Sequence, residues 1–88
     1  MKTKDRPIDV LAYKIFDEPY PRPVKFRIMD EQLQPKTVII YKYEGAKFDK
    51  RAGNKMIFYK CQAVINDLLR PIELKYEIDS MNWYLFKV

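Results

Sequence analysis

From Ile72 to Ile78 the chain alternates strictly: Ile72, Leu74, Tyr76 and Ile78 are apolar, and Glu73, Lys75 and Glu77 between them are charged. A period of two sends successive side chains to opposite faces of an extended backbone, so this run predicts a half-buried β-strand. The same reading gives five further strands. They are Ile8 to Phe16; Val24 to Met29, with Lys25 and Arg27 on its outer face; Thr37 to Tyr43, rich in β-branched and aromatic residues; Met56 to Ile65; and Trp83 to Val88.

The segments between them carry turn chemistry. Asp17 to Pro23 holds three prolines, which remove amide donors and fix φ, and is expected to run extended across the surface. Asp30 to Pro35 reads as a hairpin connection, and Asn66-Asp67 and Asp79 to Asn82 read as tight turns. Glu44 to Lys55, bracketed by Gly45 and Gly53, shows neither period clearly and is expected to be a long connection. A short helix over Gln62 to Arg70 competes with the strand reading there, because Ala63, Leu68, Leu69 and Arg70 are good helix formers.

Sequential strands joined mostly by short turns favour antiparallel neighbours. So small a sheet buries its apolar face only by curling or by packing two halves together. The expected fold is therefore all-β: a small antiparallel six-stranded meander curled into a partly open barrel. Residues 1–88 form a single domain in this reading, with residues 1–7 a flexible N-terminal tail.

Composition narrows the chemistry. Of 88 residues, 48% are hydrophobic and 15% aromatic, enough for a packed core and unlike a disordered chain. The basic start, Met1 to Pro7, is not followed by the apolar run of an export signal, and no stretch approaches the roughly 18 apolar residues of a membrane span. With one cysteine, Cys61, no internal disulfide forms, so a reducing cytoplasm is the expected setting. Cys61 reads as a small buried hydrophobe or, if Lys55 and Lys60 lie close, as an activated thiolate.

No histidine is present, which removes the usual neutral-pH base and the commonest metal ligand. Serine–histidine and cysteine–histidine pairs are thereby excluded, and so are the usual zinc sets. The two glycines fit neither a phosphate-binding loop nor a dinucleotide fingerprint. Glu73, Glu77 and Asp79 share a strand face with Lys75 and read as a solvated surface rather than a carboxylate pair. No enzyme activity, cofactor or metal site is expected.

Net charge is +5, and its distribution matters more than its total. Between Lys36 and Lys60 lie seven cations and only two acids, Glu44 and Asp49, so this region carries the whole excess. Phe26, Tyr41, Tyr43, Phe48, Phe58 and Tyr59 occur among these and neighbouring basic residues. Aromatic platforms beside cations suit single-stranded nucleic acid, whose bases stack while its phosphates pair. The candidate nucleic-acid residues are Lys42, Lys47, Lys50, Arg51, Lys55, Lys60, Tyr41, Tyr43 and Phe48. Strands also need aromatics for core volume, and surface lysines are ordinary solubilising groups.

The strings Ala52 to Gln62, Glu73 to Glu77 and Trp83 to Lys87, with Pro23 to Arg27, resemble a family of short, uncharacterised bacterial proteins. The resemblance implies a bacterial cytosolic origin and transfers no activity and no functional residues. Two functions remain. One is a non-enzymatic protein-interaction module or homo-oligomer, docking a protein partner or second copy through an exposed edge strand or an aromatic patch near Pro19 to Pro23. The alternative is weak single-stranded nucleic-acid binding through the basic, aromatic-containing surface.

Overall fold

Alternation alone does not say where a strand ends, and the computed structural model, which describes all 88 residues, extends most of the expected segments. Six strands result: β1 (Thr3–Tyr13), β2 (Arg22–Met29), β3 (Pro35–Arg51), β4 (Asn54–Ile65), β5 (Leu68–Glu77) and β6 (Asn82–Lys87). Each pairs antiparallel with its sequence neighbour, and β1 pairs with β6 to close the barrel. The all-β antiparallel meander is as the sequence predicts, with a closed ladder of strands in place of a partly open one. Closure removes two edges that would otherwise need covering.

The core consists of the residues that alternation places inside. On β4, Ile57, Tyr59, Cys61 and Ala63 are buried at every second position; they meet Phe26 of β2, Val38 of β3, Ile72 and Leu74 of β5 and Leu85 of β6. Lys25 and Arg27 flank buried Phe26 and stay exposed, the basic outer face expected of β2.

Strand β1 begins at Thr3, ahead of the expected start at Ile8, because Arg6, Pro7 and Ile8 pair with Leu85, Tyr84 and Trp83. Beyond the ladder, Lys2 and Val88 exchange two backbone hydrogen bonds of 2.9 and 3.1 Å. No helix forms over Gln62 to Arg70. Strand β4 runs to Ile65, Asn66 and Asp67 turn with φ of 51° and 63°, and β5 leaves at Leu68. Two consecutive residues in the left-handed region match the right-handed twist of a two-residue hairpin, and Asn and Asp tolerate that region well. The Asp30 turn also forms as expected, its carboxylate accepting from the Gln32 and Gln34 amides.

The expected long connection, Glu44 to Lys55, is instead strand. Residues Glu44 to Arg51 extend β3 and pair in register with β4, from Gly45↔Lys60 to Arg51↔Asn54, leaving only Ala52-Gly53 as the turn. The period is hidden because register shifts occur twice along β3, between Ile40 and Lys42 and between Tyr43 and Gly45. Each bulge inserts a residue and inverts which positions face inward.

Asp17 to Pro23 does more than cross the surface. Tyr20 stacks on Phe48 at 6.4 Å, the Tyr59 hydroxyl donates to the Pro21 carbonyl at 2.5 Å, and Pro23 is buried. The segment plugs one end of the barrel. Arg22 is clamped there by Glu18 at 2.7 Å, with its guanidinium over the Tyr43 ring at 4.5 Å.

Candidate functional site

In an antiparallel pair, residues directly opposite each other share a face. Because Tyr43, Ala46 and Phe48 oppose Cys61, Tyr59 and Ile57, they face inward, as does Lys50 opposite Lys55. Lys42, Lys47, Asp49 and Arg51 oppose Gln62, Phe58, Met56 and Asn54 and face outward. The sequence-predicted set therefore splits. Lys42, Lys47, Arg51 and Lys60 lie on the outer face; Tyr43, Phe48, Lys50 and Lys55 lie on the inner face of the β3–β4 hairpin; Tyr41 sits exposed at the first bulge. Tyr43 and Phe48 are engaged by Arg22 and Tyr20, so these two rings are partners of the plug rather than open platforms.

Outside the barrel, the strands enclose a groove of about 560 Å³ whose floor is Phe58 and Phe86, with ring centroids 5.1 Å apart. Lys47, Arg51, Lys60 and Lys87 surround it together with Glu44, Asp49 and Glu73. Arg51 is held by Asp49 at 3.0 Å and lies 4.8 Å from the centre of the Phe58 ring, while Lys87 lies 5.1 Å from that of Phe86. Cations over aromatic faces are favourable by roughly 0.5–1 kcal/mol each at exposed sites. The groove thus joins aromatic surface to cations, but of mixed charge. Phe58, Phe86 and Lys87 are absent from the sequence-predicted set, although Phe58 stands among the aromatics noted beside the cations; the alternation of Trp83 and Leu85 with Tyr84 and Phe86 was the signal that placed Phe86 outside.

Lys75 departs from the expected solvated face. It is only 9% exposed, with Asp5 2.5 Å from its ammonium and the Tyr84 and Phe86 rings 4.8 and 5.2 Å away. The irregularity between Thr3 and Arg6, with Asp5 at a φ of 50°, aims the aspartate at this lysine.

The thiol is not poised for chemistry. Cys61 is buried in the core, and burial followed by the charge of Glu44 pushes its pKa up to about 12, so it stays protonated and packs as an apolar group. Burial raises the Tyr59 and Tyr43 phenols as well. No cluster of three or more His, Cys, Asp or Glu side chains is placed to hold a metal ion, and no helix is long and apolar enough to cross a membrane.

One backbone feature stands apart. The ladder between β2 and β3 ends at Lys25↔Ile39, whereas the ladder between β3 and β4 continues to Arg51↔Asn54. From Ile40 to Arg51, β3 has β4 on one side and no strand on the other. No backbone hydrogen bond from the Asp17–Pro21 plug reaches this stretch. Beside its start, Leu11, Ile39, Tyr41, Val64 and Leu69 are all exposed on the outer surface. Of these, Leu11 and Ile39 flank Lys25 in one cross-strand row, and Val64 opposes Leu69. Compared with known proteins, the chain matches no family model, no curated protein and no solved structure.

Proposed function

We propose that this chain is a non-enzymatic protein-interaction module of the bacterial cytoplasm, which docks a polypeptide by adding it as a strand to the open edge of β3. The observation that carries this reading is the unpaired side of Ile40 to Arg51. A row of unpaired backbone donors and acceptors on an ordered strand is a template for another chain, and strand addition gives affinity through main-chain hydrogen bonds. The exposed apolar residues next to Ile39 extend the contact surface. Natural proteins usually shorten or cover such edges; this one is a long strand whose far side is held in register by β4.

Selection of random dodecapeptides on the immobilised protein tests the reading. Captured peptides are expected to slow amide exchange within Tyr41 to Arg51 and to lose binding when alternate backbone nitrogens are methylated. Peptides that bind equally well when methylated, or that protect other strands, would remove the edge from the mechanism.

The aromatic floor of the outer groove supports a second reading, weak binding of single-stranded nucleic acid. Bases would stack on Phe58 and Phe86, with Lys47, Lys60 and Lys87 contacting phosphates, while Glu44, Asp49 and Glu73 oppose it. Each phosphate contacted on a single strand contributes about −0.7 to the log–log salt slope, so affinity for mixed-sequence DNA should fall steeply between roughly 50 and 200 mM salt. Absence of saturable binding at the lower salt would retire this reading.

A further inference from the structure

Alternation turns every second residue of a strand into the barrel, and at one end three of these inward positions are basic. Arg6 of β1 stands opposite buried Leu85, Lys36 of β3 opposite Ile28, which packs on the core, and Arg70 of β5 opposite buried Ala63. Opposed residues share a face, so all three cations belong to the inner face. Each stands two positions from a core-packed residue of its own strand, Ile8, Val38 and Ile72 respectively. They meet at the end of the barrel away from the plug, where β2 arrives at Met29 after leaving the plug at Arg22.

There the core surfaces in a cavity of about 470 Å³. Buried Phe26, Val38 and Leu85 form its floor, half-buried Ile28 and Ile65 line it, and Arg6, Lys36 and Arg70 stand around it. We propose that this mouth binds a small amphiphilic carboxylate, with its apolar tail against Ile28 and Ile65 and its charged head among the three cations. The site lies beyond the start of β3, at the opposite end of that strand from its open edge, and goes beyond the strand-addition reading.

Charge complementarity selects the head. None of the three cations has an ion-pair partner. Arg6 donates to the Met29 carbonyl at 2.7 Å and Lys36 to the Asn66 side-chain oxygen at 2.5 Å; both acceptors are neutral, so they position the cation and leave further donors for an anion. The acids of the mouth do not answer the cations. Asp30 accepts from the Gln32 and Gln34 amides of its own turn, and Glu31 forms no ion pair. Their charges offset part of the positive excess, which favours a monoanion over a dianionic phosphate. A guanidinium also presents paired donors that match the two oxygens of a carboxylate. The lining selects the tail. Apolar cavities at the mouths of barrels, bearing a few convergent polar groups, are common small-molecule sites, and this volume falls within their usual range of roughly 300–1,000 Å³.

Calorimetric titration of the whole chain with octanoate, beside acetate and octanol, tests the proposal. Octanoate is expected to bind saturably. Acetate lacks the tail and octanol the charge, and each should bind about tenfold more weakly or worse. Arg6→Gln and Arg70→Gln should each weaken octanoate binding by about fivefold or more. Both side chains are exposed, and circular dichroism of each variant checks that the barrel is intact. In amide NMR spectra octanoate should shift Ile28, Val38 and Ile65 and leave Tyr41 to Arg51 in place, which separates this site from the β3 edge. Four results would overturn the proposal: no saturable octanoate binding, acetate or octanol binding as well as octanoate, an affinity indifferent to both substitutions, or shifts confined to other strands.

Discussion

Lys75 and Asp5 form an ion pair of unequal exposure: their charged atoms are 2.5 Å apart, the lysine side chain 11% accessible and the aspartate 50%. An aspartate this open to water limits the Coulombic gain to about 1 kcal/mol or less. The lysine's larger contribution is its stem, laid across Tyr84 and Phe86. Lys75→Ala should therefore cost about 1–2 kcal/mol in urea unfolding, Lys75→Met distinctly less, and Asp5→Asn under about 1 kcal/mol. Equal losses for the alanine and methionine variants would show that the charge, not the stem, matters.

Tyr59 joins the core to the plug through its hydrogen bond to the Pro21 carbonyl. Tyr59→Phe keeps the ring and removes the donor, which should cost about 0.5–1.5 kcal/mol. Amide exchange should quicken at Tyr20 and Arg22 more than in β5. A uniform change across the barrel would mean that the plug is not held by this bond.

The turn at the tip of the β3–β4 hairpin places Ala52 at a φ of 50° and Gly53 at 82°. An alanine there carries roughly 1 kcal/mol of backbone strain that asparagine tolerates better. Ala52→Asn should raise the unfolding midpoint by that order, and Gly53→Ala should lower it, since a Cβ at Gly53 meets open space and the penalty is the backbone's alone. Thermal melts of the two variants should move in opposite directions.

Cys61 links folding to alkaline pH. Its folded pKa, pushed up to about 12, lies above the ordinary thiol value of about 8.5, so the folded state holds the proton more tightly. The associated stability is complete below about pH 8.5 and is lost as pH rises toward 12. Tyr59, raised in the same direction, adds to the loss at higher pH. Cys61→Ala should flatten the decline of the melting temperature between about pH 8.5 and 10. In the native state at neutral pH, thiol reagents should modify Cys61 only as fast as the barrel opens; rapid modification would contradict its burial.

Most of the barrel was legible because burial on one face forces period two, as β5 shows from Ile72 to Glu77. Where the period broke, the reading failed. The two bulges of β3 invert its facing midway, so Lys42 and Lys47 are outward together while Tyr43 and Ala46 are inward, a pattern that reads locally as neither strand nor helix. Ala52-Gly53 lacks the Asn-Gly signature of a two-residue turn, which made Glu44 to Lys55 resemble a loop.

The candidate site was less legible for a related reason. A cluster of cations in sequence is not a cluster in space when a hairpin presents alternate residues to two faces, and so Lys50 and Lys55 part from Lys47 and Lys60. Lys75 was misread because period two reports which face a residue takes. It does not report that Tyr84 and Phe86 on the next strand cover that face. The open edge of β3 left no mark in composition at all, since it arises from two ladders of unequal length.

Every pairing in the barrel but one joins strands adjacent in sequence; only the β1–β6 seam spans the chain. Hairpins close short loops at low entropic cost, whereas the seam must bring distant segments together. Folding should therefore proceed as a zipper of hairpins with the seam last, and the same seam should be the first to breathe in the native protein. Amides of Arg6, Ile8, Trp83 and Leu85 are expected to exchange by partial opening, while those of Phe58 to Cys61, flanked by strands on both sides, exchange only with global unfolding.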